Sequence, residues 1–110
     1  MNDLDALLRP LGSLRAKCEK AQQRLAPGSW QHVRMVDSVH ALCLASEHLV
    51  WPMTDATADD LARARLALAT LLSRTEAALP TFAEGSPQHT LLRNRRRALQ
   101  AAQAALGHAP

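Results

Sequence analysis

His40, Cys43 and Glu47 are the residues of this chain best suited by type and spacing to chemistry. Steps of three and four place them on one face of a helix, and imidazole, thiolate and carboxylate are ligands for divalent transition metals. His32 lies one further step back, and His48 falls on a neighbouring polar arc. Metal centres in helical bundles draw their ligands from several helices. No other apolar stripe here supplies matching acids or histidines, and His89 and His108 sit near the ends of the last segment. The cluster is therefore read as ordinary helix residues, without a resident metal or cofactor. Cys43 three residues after His40 also has the spacing of a thiolate–imidazole pair, but a thiol within an apolar stripe is generally inert. There is no glycine-rich phosphate loop, no nucleophile elbow and no pair of acids in a pocket-forming context. Ser29 and Ser86 stand where helix caps are needed, which accounts for them without catalysis. The expectation is a protein that is not an enzyme.

Arg93-Asn94-Arg95-Arg96-Arg97 is the densest run of charge. On a helical wheel Arg93, Arg96 and Arg97 spread over the polar side, and Arg9, Lys17, Lys20 and Arg24 of the first segment could extend them into a patch that attracts phosphate backbones. The competing reading is a solvated helix face. Arg95 instead points into the apolar stripe between Leu92 and Leu99. A charge there needs a partner. Glu47 is in the same position on the second segment, so a buried Glu47–Arg95 pair is expected, with Glu76 as the alternative acid; otherwise Arg95 snorkels to the bundle edge.

The elements that position these groups are legible from periodicity. Leu4, Leu7, Leu11, Leu14, Cys18, Ala21 and Leu25 form one helical stripe, with a kink expected at Pro10 and an end at Pro27-Gly28. A second helix is expected from Ser29 to Val50. Its broad apolar arc holds Val33, Val36, Val39, Leu42, Cys43, Leu44, Leu49 and Val50, and a narrower arc holds Arg34, Asp37, Ser38, Ala41, Ala45 and His48. This helix is expected to be the most buried. A third runs from Ala58 to Leu79 behind a capping box at Thr57 to Asp60. A fourth opens at Ser86-Pro87 and closes near Gly107. Four segments of similar length with short connections imply an all-α fold: one domain over residues 1–110, an antiparallel four-helix bundle.

Composition agrees. The chain has 110 residues, 3% aromatic and 47% hydrophobic, so its core must be built from Leu, Val and Ala. The net charge is +3, divided as −2 over residues 1–60 and +5 over residues 61–110. No apolar run is long enough to span a bilayer, and the acidic start Met1-Asn2-Asp3 is unlike a signal peptide. A cytoplasmic location with Cys18 and Cys43 reduced is expected.

Surplus hydrophobicity carries the functional expectation. Leu66 lies opposite the main stripe of the third helix, and Trp30 and Trp51 mark the two ends of the second. A binding surface for a protein partner or a second copy of the chain would use them, with Arg93, Arg96 and Arg97 as a polar rim. The bland alternative is a centrally placed second helix and a harmless exposed leucine. The second functional class is a nucleic-acid-associated protein using the basic faces of the first and last helices, although few aromatics are available for base stacking.

Overall fold

A computed structural model describes residues 3–52 and 55–107. They form α1 (Asp3–Gln23), α2 (Trp30–Val50), α3 (Ala58–Ala78) and α4 (Pro87–Gly107), with a short 3-10 turn at Leu79–Thr81 after α3.

The helices α2, α3 and α4 begin where their capping chemistry says they should. The Ser29 hydroxyl accepts from the His32 amide at 3.2 Å, Thr57 from Asp60 at 3.1 Å and Ser86 from His89 at 3.1 Å. Asp59 and Asp60 add negative charge to the first turn of α3. Trp51 ends α2 in extended backbone (φ −141°), which the following Pro52 enforces. Gly28 and Gly85 hold positive φ in the turns before α2 and α4, a conformation other residues adopt only with strain. Gly107, expected as a terminal cap, is the last residue of α4 itself.

The expected kink at Pro10 is not established, because α1 runs as one uninterrupted helix through it. The lost donor would have served the carbonyl of Ala6, an exposed residue whose carbonyl can turn to solvent.

Each helix packs on its sequence neighbours and α4 closes against α1. The connections are too short to cross a helix of 21 residues, roughly 30 Å. The bundle is accordingly antiparallel. Across the diagonals, α2 touches α4 while α1 and α3 stay apart. Both helices of the close diagonal carry fully buried small residues, Ala41 and Ala45 on α2 and Ala98 and Ala102 on α4. Small side chains permit close approach of helix axes. Leu11, Leu42, Leu68, Leu99 and Leu106 fill the remaining core. At the far end of α4, the Arg65 guanidinium donates to the Leu106 carbonyl at 3.0 Å, satisfying a terminal acceptor.

This diagonal corrects the orientation expected for α2. Ser38, Ala41 and Ala45, assigned to the outward arc by hydropathy, face the core with Leu42. Val33 and Val50, assigned inward, are exposed. Side-chain volume outweighs hydropathy at this contact. Burying Ser38 costs little because its hydroxyl donates to the Arg34 carbonyl at 2.9 Å. Nor is α2 the most buried helix: it buries four residues and α4 buries five.

Candidate binding surfaces

His40, Cys43 and Glu47 do line a common cleft, of about 360 Å³, between α2 and α3, together with Asp37, Asp60 and Arg63. Among the described residues no three His, Cys, Asp or Glu side chains converge closely enough to hold a metal ion. Cys43 is half-buried, and its sulfur accepts from Arg15 Nη1 of α1 at 3.4 Å. That contact, followed by the charge of Glu19, raises the Arg15 guanidinium above its ordinary value. Arg15 lies 3.8 Å from Glu19 in an exposed ion pair, a geometry that contributes little to stability.

The Glu47–Arg95 pair does not form. Glu47 is exposed on the α2–α3 side, whereas Arg95 is half-buried where α4 meets α1 and α3. Glu76, the alternative acid, is exposed and makes no ion pair with Arg95 either. Among the described residues Arg95 has no hydrogen-bond or ion-pair partner. Burial pushes its guanidinium below the ordinary value, opposed only by the Cys18 thiol. The wheel that brought Arg95 and Glu47 into the core treated α2 as facing inward through its valines, and the observed rotation carries Glu47 out.

The expected basic patch divides. Arg93 and Arg96 border a hollow at the α3–α4 turn beside Leu79, Glu84 and His89, and Arg97 is exposed. On the other side of α4, Arg95 and Asn94 meet Arg9 and Ser13 of α1. The arginine set apart from the patch is thus the one that joins the cations of α1. Together α1 and α4 carry eight basic and three acidic side chains, net +5.

Trp30, Trp51 and Leu66 are exposed by 64%, 67% and 72%. The Arg34 guanidinium stacks over the Trp30 ring, 5.5 Å from its centroid. Arg34 also lines a groove between α2 and α3 with Leu66, Arg63 and Thr70. Trp30, Arg34 and Leu66 therefore belong to one face. Trp51 lies a helix length away at the other end of α2, and Arg93, Arg96 and Arg97 do not rim this face. No family model, curated protein or solved structure matches the chain. Its surfaces are the guide to what it does.

One feature of those surfaces escaped sequence reading. Where the C-terminal ends of α1 and α3 meet the N-terminal ends of α2 and α4, a cleft of about 490 Å³ opens. Leu14, Cys18, Leu71, Thr75 and Leu92 are buried along it, and Lys17, Arg74, Phe82 and Leu91 are exposed at its margin. Arg95 was the available signal, a cation on the core side of an otherwise apolar stripe. Lys17 was read only as an extension of the α4 arginine patch, and Arg74 carried no signal, because only tertiary packing brings them together with Arg95. Among the described residues no helix is long and apolar enough to cross a membrane.

Proposed function

We propose that this chain is a non-enzymatic interaction module, an adaptor or regulatory subunit that binds a protein partner through its α2–α3 face. The observation that carries the reading is Leu66, largely exposed in a groove beside the Trp30–Arg34 stack. Tryptophan and arginine are the types most enriched at binding hot spots, and an apolar anchor in a groove is their usual setting. The charge of α2 and α3 is nearly balanced, with four basic and five acidic side chains, which suits a mixed protein surface better than a polyanion. A cytoplasmic location belongs to the same reading and is favoured by the two free thiols.

Affinity capture from the native cell with three baits tests the proposal. Partners retained by the wild type and by the Arg93→Ala, Arg97→Ala double variant, but lost with Leu66→Asp, are the expected result. Partners lost with the arginines and retained with Leu66→Asp overturn it. Sedimentation equilibrium of the purified chain separates a second copy from a different protein.

The net +5 on the adjacent helices α1 and α4 favours a second reading, association with nucleic acid. Fluorescence anisotropy of labelled duplex and single strands at two salt concentrations decides between them. Binding that weakens steeply with salt supports nucleic acid, and no binding at low salt removes it.

A further inference from the structure

We propose that the cleft at the α1–α3 carboxyl end of the bundle binds an amphipathic anion, a straight-chain carboxylate with its tail over Leu14, Leu71 and Leu92 and its head at Arg95, Lys17 and Arg74. Its volume, about 490 Å³, lies within the range of roughly 300–1,000 Å³ typical of small-molecule sites.

Charge complementarity selects the ligand. Three cations and no carboxylate line the cleft. None of the three has a hydrogen-bond or ion-pair partner among the described residues. Glu19, next to Cys18 along α1, is engaged with Arg15. All three border the cleft in which Cys18 is buried; burial raises that thiol above its ordinary value, Arg95, then Lys17, then Arg74 lower it, and Glu19 raises it. Arg95 is the decisive group. It takes a core position one turn from both Leu92 and Leu99, where an apolar residue would pack at lower cost. A guanidinium held there can grip a carboxylate by two parallel hydrogen bonds while the leucines below accept an alkyl chain. A nucleic-acid backbone would engage the exposed arginines of α4 and leave this floor uncovered. The cleft borders the α2–α3 groove through Met35, Leu71 and Arg74, but its occupancy can be read on the purified chain without any protein partner.

Isothermal titration of the full chain with laurate, below its micellar concentration, is the test. Acetate and dodecyltrimethylammonium are the headgroup-only and opposite-charge comparisons. Saturable one-to-one binding of laurate, with both comparisons at least about tenfold weaker, is expected. Arg95→Met should lower laurate affinity about tenfold or more. Lys17→Met, an exposed change, should lower it about threefold. Arg97→Met, exposed on the same helix, should leave it within about twofold. Circular dichroism verifies that each variant is folded. Laurate uptake without saturation, equal binding of the cationic amphiphile, or equal losses in the Arg95 and Arg97 variants overturns the proposal.

Discussion

Arg95 shows how a single residue can be costly to a fold and still be kept by it. Its half-buried guanidinium has no partner among the described residues, and desolvation depresses its pKa without removing its charge. Methionine at this position would continue the stripe between Leu92 and Leu99 in an apolar side chain of similar length. Arg95→Met is therefore expected to stabilise the protein by about 1 kcal/mol, read as a raised urea midpoint at unchanged m-value. A destabilised variant would mean that Arg95 has a structural partner after all. If the same variant loses laurate binding while gaining stability, the arginine is retained for its ligand, the usual trade between stability and a functional site.

At the scale of elements, the rotation of α2 about its own axis is the main decision made by packing. Hydropathy alone turns the valines inward. In the fold Ser38, Ala41 and Ala45 are buried with Leu42, in the core that also holds Ala98 and Ala102, while Val33 and Val50 are exposed and Val39 packs only at the core's margin. These alanines are fully buried, so adding volume there should hurt where adding hydrophobicity would ordinarily help. Ala102→Leu is expected to cost about 1–3 kcal/mol in chemical denaturation. Val33→Leu, on the exposed side, should change stability by less than about 0.5 kcal/mol. Equal tolerance of the two substitutions would show that the helices are not held together by small residues. The same rotation places Glu47 and His40 on the outer side of α2 and separates Glu47 from Arg95.

At the scale of the whole molecule, charge and apolarity are sorted onto different sides. The α1–α4 side is strongly basic, and the α2–α3 side is nearly balanced and carries Trp30 and Leu66. One core cluster, drawing on all four helices, lies between them. Unfolding is therefore expected to be a single cooperative transition by circular dichroism, with the heat measured by calorimetry equal to the van't Hoff value. Two transitions, or a calorimetric enthalpy well above the van't Hoff one, would divide the chain into independent units.

What the sequence by itself determined is the placing of the helices, which depends on near neighbours in the chain. Helix positions follow from periodicity and from caps that act over three residues, as Ser29, Thr57 and Ser86 do. The stripes of α1 and α3 were legible because there apolarity and burial coincide in Leu11, Leu14, Leu68 and Leu71. The exposure of Trp30, Trp51 and Leu66 was legible from position, since each stands off its stripe or at a helix end. Only the tertiary structure decided the rotation of α2, the division of the arginines between two sides of α4, and the meeting of Lys17, Arg74 and Arg95 over an apolar floor. These depend on how closely two helix axes can approach, which is set by side-chain volumes on both partners at once. A pattern read along one helix holds only half of that information.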